Sequence, residues 1–99
     1  MKTLIVTAHP RIQSLTAAAA EVFAQGIAER GHEVEWARLA QEGFDPVVRE
    51  ADEPDWGNPD KVYSPEVVRE MQRIERNAAT VMFFPVYWWS MPALLKGWI

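Results

Sequence analysis

The sequence contains no cysteine, only two histidines, and fewer basic than acidic residues. The absence of cysteine excludes disulfides, thiolate metal sites, redox-active thiols and cysteine nucleophiles. His9 and His32 stand far apart with no acidic partner at ligand spacing, which argues against a metal site. Ten basic and fourteen acidic residues give a net charge of −4, so the charge balance does not point to nucleic acid.

Two glycine-dependent motifs are also missing, and a signal peptide is not expected. The segment from Thr7 to Ser14 has no glycine, so it is neither a dinucleotide-binding fingerprint nor a Walker loop. Ser90 lacks flanking glycines, which argues against a serine-hydrolase elbow. The apolar stretch after Met1 is too short for a signal peptide, and a cytoplasmic protein is therefore expected.

The bulk composition is that of a soluble globular protein, with 48% hydrophobic and 24% charged residues in 99 positions, so we expect residues 1–99 to form one domain.

The N-terminal part is predicted to be a strand, a helix and a strand. The strands are Lys2–Ala8 and Glu33–Leu39, and the helix between them begins at Ser14 and ends before Gly31. This order favours a right-handed parallel crossover. The predicted buried stripe of the helix is Leu15, Ala19, Val22, Phe23 and Ile27.

The middle of the chain is predicted to be a long acidic loop followed by a helix. Gln41–Val62 holds seven of the fourteen acidic residues and three prolines. We expect Phe44, Val47, Val48 and Trp56 to anchor it to the body. A helix starts at Ser64-Pro65 and runs to about Asn77. Its predicted buried residues are Val67, Val68, Met71 and Ile74, and its predicted solvent face is Arg69, Glu70, Arg73, Glu75 and Arg76.

The last 22 residues are the most informative part of the sequence, since they hold three of the five tryptophans and one charge, Lys96. Thr80–Phe84 suits a strand buried on both faces, Pro85 ends it, and Val86–Met91 is an aromatic loop. A helix begins at Pro92. The run is long enough to span a bilayer, but its prolines and its lysine argue against that reading.

Two segments are candidates for binding chemistry, and each also has a purely structural explanation. His9, Arg11, Gln13, Ser14 and Thr16 lie between a strand and a helix start, where phosphate is favoured; alternatively, Ser14 only caps the helix. Trp88 and Trp89 can wall a planar ring at the carboxyl end of the sheet, where open α/β folds bind ligands; alternatively, they belong to the core or to a subunit interface.

Three segments of the sequence form a familiar combination: Thr7-Ala8-His9-Pro10 at the end of the first strand, Ser14-Leu15, and Phe84-Pro85-Val86-Tyr87-Trp88-Trp89-Ser90-Met91-Pro92-Ala93-Leu94-Leu95-Lys96-Gly97-Trp98. Together they resemble the NAD(P)H:quinone oxidoreductases. These are the DT-diaphorase-like flavoproteins of flavodoxin-like fold, with a doubly wound parallel sheet. The resemblance implies bound FAD or FMN, hydride transfer from NADH or NADPH, and two-electron reduction of a quinone-like acceptor. It also implies a homodimer.

The resemblance further assigns cofactor-binding residues. His9, Leu15 and Thr16, with Ser14 beside them, would hold the phosphate and ribityl part of the flavin. Pro85, Val86, Tyr87, Trp88 and Trp89 would line the isoalloxazine, and Trp89 would also face the nicotinamide or quinone.

Members of that family continue beyond the position of Ile99, with two more strands and a glycine-rich flavin loop. We therefore expect the N-terminal part of the fold, with three strands in a βαβαβ order and then a helix. Its last strand should have an unpaired edge, and Leu94, Leu95, Trp98 and Ile99 should have little cover. The alternatives are a non-catalytic accessory subunit, for example one that contacts the transporter of a potassium-efflux system peripherally, or an inactive fragment.

Overall fold

The computed structural model describes residues 1–99, and its elements alternate between strand and helix. In chain order they are β1 (Lys2–Thr7), α1 (Leu15–Glu29), β2 (Glu33–Arg38), α2 (Pro65–Glu75), β3 (Ala79–Phe83) and α3 (Ala93–Trp98), with a short 3-10 helix at Glu50–Asp52. The strands form one parallel sheet in the order β2-β1-β3. The predicted α/β class and the parallel crossover are confirmed.

Strand β1 is the centre of the sheet. Leu4, Ile5 and Val6 are fully buried, because β1 is hydrogen-bonded on both edges and covered on both faces. Ile5 packs with Ala20 and Ala24 of α1. On the other face, Leu4 and Val6 belong to the larger core cluster, which also contains Ala8, Ala37, Leu39, Leu95 and Trp98.

The ends of α1 are as predicted, but its buried face is not. The Ser14 hydroxyl oxygen accepts a hydrogen bond from the Ala17 N–H at 3.1 Å, and Gly31 takes a positive φ of 87° just beyond the helix. The helix packs through Ala20 and Ala24, whereas Leu15 is 87% exposed. The predicted stripe is therefore wrong except at Ile27, which is half-buried, since Ala19, Val22 and Phe23 are also exposed.

Helix α2 buries a charge where the sequence predicted a solvent face. Glu70 is 6% exposed, and its carboxylate accepts hydrogen bonds from the Trp98 indole N–H at 2.9 Å and from Arg73 at 3.2 Å. Met71 and Ile74, expected to be buried, are exposed. The hydrophobic periodicity is only partly right here: Val67 and Val68 are half-buried, and ion pairs join the other side of α2 to its neighbours.

These ion pairs connect α2 to β2 and to the turn that follows it. Arg73 lies 2.7 Å from the Glu42 carboxylate, and Arg76 and Asn77 donate to Glu35. The hydrogen bond from Arg76 is the main reason that the pKa of Glu35 falls from 4.5 to about 2. Glu35 is thus ionised in the folded chain at pH values above about 2.

The long loop is attached at fewer points than predicted. Phe44 packs against the larger core cluster, as expected, but Val47, Val48 and Trp56 are exposed. At the far end of the loop, Asp52 accepts hydrogen bonds from the Ser64 N–H at 2.7 Å and its hydroxyl at 2.8 Å, which lowers the pKa of Asp52. The Ser64 side chain therefore fixes the loop instead of capping α2.

The last two elements also differ from expectation. Leu95 is fully buried and Trp98 is 8% exposed, so α3 is a core element; only Leu94, half-buried, and Ile99, exposed, keep limited cover. The prediction that β3 is buried on both faces is wrong, since it lies at the edge of the sheet and its Met82 is exposed. The predicted unpaired edge is observed.

Gly97 provides a test of how closely α3 approaches the loop. A Cβ atom at Gly97 would lie 2.5 Å from the carbonyl oxygen and 2.8 Å from the Cα of Pro46. We expect Gly97→Ala to lower the free energy of unfolding by ~1–3 kcal/mol, despite the better helix propensity of alanine. The matched control is Gly26→Ala in α1, where no atom lies within 4 Å of the new methyl group. Urea unfolding should show the control unchanged or stabilised, and equal effects would contradict the close approach.

The depressed pKa of Glu35 predicts a pH dependence of stability. Since the pKa is lower in the folded than in the unfolded chain, ionised Glu35 stabilises the fold above pH 4.5, and this contribution disappears as the pH falls through about 2. Glu35→Gln should cost ~1–2 kcal/mol at neutral pH. Urea titrations should show the difference from wild type shrinking across that window. Glu33→Gln, in the same strand but without an ion pair, is the control, and a constant difference would refute the assignment.

Candidate functional site

The two predicted binding segments meet at the carboxyl edge of the sheet. The β1–α1 turn (residues 8–14) and the aromatic loop (residues 86–91) follow neighbouring parallel strands, and the Ala8 N–H donates to the Phe83 carbonyl at 3.1 Å. On the β2 side, the Gln41 side-chain amide donates to the His9 carbonyl at 3.2 Å. Pro85 is half-buried and lies between β3 and the aromatic loop.

His9 is oriented by its own turn. The Arg11 backbone N–H donates to His9 Nδ1 at 3.0 Å. A neutral imidazole that accepts at Nδ1 carries its proton on Nε2, so His9 presents an N–H donor away from the turn. Arg11 lies beside it and donates from its guanidinium to the Gln13 carbonyl at 3.4 Å.

The start of α1 supplies further donors. Neither the Leu15 nor the Thr16 backbone N–H has a protein acceptor, as is usual in the first turn of a helix. The first turn carries no acidic residue, so nothing there opposes the positive end of the helix dipole. The Ser14 oxygen already accepts the Ala17 N–H, yet its hydroxyl proton remains free to donate. The arrangement suits an anion such as phosphate.

The aromatic loop is a tight turn of unusual composition. Tyr87 and Ser90 exchange backbone hydrogen bonds of 2.9 and 3.0 Å, and both central residues, Trp88 and Trp89, have positive φ values of 50° and 63°. Positive φ at both positions defines a type I′ turn, which normally contains asparagine and glycine. The strained backbone directs two bulky side chains outward.

Both tryptophan rings are available for contact. Trp88 is 89% and Trp89 90% exposed, with ring centroids 6.3 Å apart, so the alternative that they belong to the core of this chain is wrong. The N–H groups of Val86, Trp88 and Trp89 have no protein acceptor. Tyr87 is also exposed. The loop therefore offers flat apolar faces next to free backbone donors, which suits a planar ring with a polar edge.

A cavity of about 440 Å³ adjoins the β1–α1 turn and contains residues that the sequence analysis missed. Its walls are the turn itself, the first two turns of α1 and the end of β2, where Trp36, Arg38 and Gln41 are located. The order of the strands and helices could have predicted that these residues lie at the site. A parallel crossover places the end of β2 beside the end of β1, so polar residues just after Ala37 belong to the same edge.

The apolar C-terminal run is divided between β3, the aromatic loop and α3. No helix in the structure combines the length and the hydropathy needed to cross a bilayer. The structure also contains no group of three or more histidine, aspartate or glutamate side chains placed to hold a metal ion.

Comparison with known proteins agrees with the class that the sheet defines. A family model described as flavodoxin-like fold matches residues 1–99. The chain is 44% identical over 95 residues to a protein of Escherichia coli K12 named uncharacterized NAD(P)H oxidoreductase YcaK, covering 96% of this chain and 48% of that one. It is 28% identical over 112 residues to NAD(P)H dehydrogenase [quinone] 1 of Rattus norvegicus, covering 98% of this chain and 41% of that one.

A solved structure supports the same assignment. The NAD(P)H:quinone oxidoreductase from Methanothermobacter marburgensis superposes with a TM-score of 0.85 at 30% sequence identity, over 99% of this chain and 51% of that one. The chain spans about half the length of the curated relatives it matches. This protein belongs to the flavodoxin-like family.

The strained turn predicts a gain in stability on substitution. Replacing Trp88→Asn together with Trp89→Gly gives the residues that a type I′ turn prefers, and it should raise the free energy of unfolding by ~1–2 kcal/mol. The exposed rings contribute little packing that would be lost. Trp56→Asn is the control, since Trp56 is exposed without a positive φ, and it should change stability by less than ~0.5 kcal/mol. A less stable double variant in urea unfolding would show that the turn is unstrained.

Proposed function

We propose that this protein is an NAD(P)H-dependent oxidoreductase that binds a flavin, FAD or FMN, and reduces a quinone-like acceptor. The observation that carries the proposal is the pairing of two binding surfaces on neighbouring strands. The β1–α1 turn and the start of α1 offer free donors for a phosphate, and the turn at Trp88–Trp89 offers exposed planar faces. The names of the relatives, oxidoreductases and quinone dehydrogenases, support the same class of reaction.

The residues present fit the phosphate and ribityl portion of a flavin. His9 would donate from Nε2, Ser14 from its hydroxyl, and Leu15 and Thr16 from backbone N–H groups that have no protein acceptor. The exposed apolar side chain of Leu15 does not interfere with this role, because the residue acts through its backbone. Charge-assisted hydrogen bonds of this kind are stronger than those between neutral groups.

The aromatic loop fits the ring portion. Val86, Trp88 and Trp89 would donate backbone hydrogen bonds to the polar edge of an isoalloxazine, while Pro85 and Tyr87 would flank it. The half-buried Pro85 keeps the loop at the end of β3, so its donors are fixed before a ligand arrives. Fixed donors stabilise negative charge that develops on a ring without reorganising during the reaction.

A bound flavin would supply the redox chemistry, taking a hydride from NAD(P)H and passing two electrons to the acceptor. The task of this chain is then to hold two planar partners face to face and to exclude water from between them. Trp89 is suited to cover the nicotinamide or quinone, since its ring is 90% exposed beside the free donors. In this proposal the protein acts as a cytoplasmic homodimer, an arrangement that would give these exposed rings cover.

The first test of the proposal is a visible absorption spectrum of the purified chain with FAD or FMN, recorded after gel filtration. Flavin bands that remain with the protein and bleach on adding NADPH are the expected result. A colourless chain at every flavin concentration would overturn the assignment of these residues to a flavin.

Two substitutions test the roles of the segments separately. His9→Ala removes one phosphate donor and should weaken flavin affinity about tenfold in a fluorescence titration, the effect of losing ~1.4 kcal/mol. Trp89→Ala should reduce retention of the flavin or turnover with a quinone. Gln25→Ala, an exposed substitution on α1 away from the edge, is the control. Affinities that match wild type in both site variants would contradict the assignment.

A further inference from the structure

One hydrogen bond joins the middle of the β1–α1 turn to the rest of the protein. Within residues 9–13, the Arg11 N–H donates to His9 Nδ1 and the Arg11 guanidinium donates to the Gln13 carbonyl, so both bonds stay inside the turn. The single bond from elsewhere is donated by the Gln41 side-chain amide to the His9 carbonyl at 3.2 Å. The main-chain position of His9 therefore depends on a residue of the segment that follows β2.

The backbone of Gln41 is fixed in a tight turn, which we call the β2 turn (residues 38–44). The Phe44 N–H donates to the Leu39 carbonyl at 3.0 Å and closes this turn. Leu39 is fully buried, and Phe44 packs against the larger core cluster. Since the Gln41 side chain itself is exposed, its hydrogen bond to the β1–α1 turn depends on the ordered backbone beneath it.

The β2 turn is joined to α2 by a partly enclosed ion pair. One oxygen of the Glu42 carboxylate accepts the Arg38 N–H at 2.7 Å, and the other lies 2.7 Å from the Arg73 guanidinium. Arg73 is also paired with Glu70 of the same helix at 3.2 Å, and its side chain is 13% exposed. Hydrogen bonds between charged groups are stronger than neutral ones, so the Glu42–Arg73 pair keeps the turn in one position. Neither Glu42 nor Arg73 lines the cavity beside the β1–α1 turn.

We propose that Gln41 is a positioning residue for His9, and that Arg73 fixes Gln41 through Glu42. The inference rests on the proposed function, in which His9 donates from Nε2 to a phosphate. A carbonyl anchored from outside the turn fixes the backbone of His9 before the ligand arrives, which lowers the ordering cost of binding. Hydrogen bonds also weaken steeply when donor and acceptor are misaligned. Affinity for a phosphate then depends on α2, a helix that does not line the site.

The experiment on the purified chain has two readouts. FMN affinity is measured by flavin fluorescence, and the tautomer of each histidine is measured without ligand by imidazole nitrogen NMR at alkaline pH. Gln41→Met removes the donor at nearly the same side-chain length, and it should weaken FMN binding about fivefold. Because the turn loosens, the bond from the Arg11 N–H to Nδ1 should weaken, and His9 should lose its single Nε2–H tautomer. His32, outside the turn, is the internal control and should not change.

Arg73→Gln tests the connection to α2. It should weaken FMN binding about threefold, and combined with Gln41→Met it should add no further loss, because both act on one hydrogen bond. Arg69→Gln is the matched control: Arg69 also pairs with Glu70 but forms no ion pair with Glu42, so the affinity should stay unchanged. If Arg73→Gln proves unstable in urea, Glu42→Gln takes its place, since it removes the same ion pair from a more exposed position.

Three results would overturn the inference. If Gln41→Met leaves both the FMN affinity and the His9 tautomer unchanged, Gln41 positions nothing. If the affinity falls while the tautomer is unchanged, Gln41 contacts the ligand directly instead. If the losses of Arg73→Gln and Gln41→Met add, or if Arg69→Gln matches Arg73→Gln, α2 does not act through Gln41. If wild type binds no FMN, the proposed function fails first, and the imidazole spectrum still decides: a changed His9 tautomer in Gln41→Met supports the positioning role, and an unchanged one refutes it.

Discussion

The burial of β1 is the constraint on which the rest of the structure depends. Leu4, Ile5 and Val6 have no exposed surface, and each contributes roughly 1.5–3 kcal/mol compared with an exposed side chain. Both other strands hydrogen-bond only to β1, and the two core clusters meet across it. The same strand leads directly into the β1–α1 turn, so the most rigid element of the fold positions His9 and the start of α1.

The two faces of the sheet are covered by different physical means. On one face, α1 approaches closely because its contacts are the small residues Ala20 and Ala24. On the other, Leu95 and Trp98 of α3 pack into the core, and α2 is joined to them through Glu70, which accepts from the Trp98 indole and pairs with Arg73 in its own helix. A buried ion pair of this kind adds little to stability over an apolar pair, but loss of one partner is costly because the other remains buried.

The sequence predicts the architecture of this protein better than its packing. Strand positions and helix starts depend on local features, such as Ser14 and Ser64-Pro65, and each was placed within one or two residues. The buried faces of α1 and α2 depend on what lies opposite them. Glu70 is buried because Trp98, 28 residues later, donates to it, and no helical periodicity contains that information.

The candidate site, too, could be predicted from the sequence only in part. The β1–α1 turn and the aromatic loop are visible in the sequence, because each follows an apolar strand. Arg38 and Gln41 become part of the site only through the order of strands in the sheet. The left-handed backbone of Trp88 and Trp89 could not be predicted, since tryptophan has no preference for a type I′ turn.

The position of β3 has a consequence for the motion of the site. Only one edge of β3 is hydrogen-bonded, so alternate amide groups along it lack a partner and should open at a lower free energy than those of β1. The aromatic loop begins after two intervening residues, Phe84 and Pro85, whereas the β1–α1 turn directly follows the central strand. The two halves of the site are therefore mounted on strands of unequal protection: the phosphate side follows the central strand, whereas the aromatic loop, closed by its own Tyr87–Ser90 hydrogen bonds, follows an edge strand.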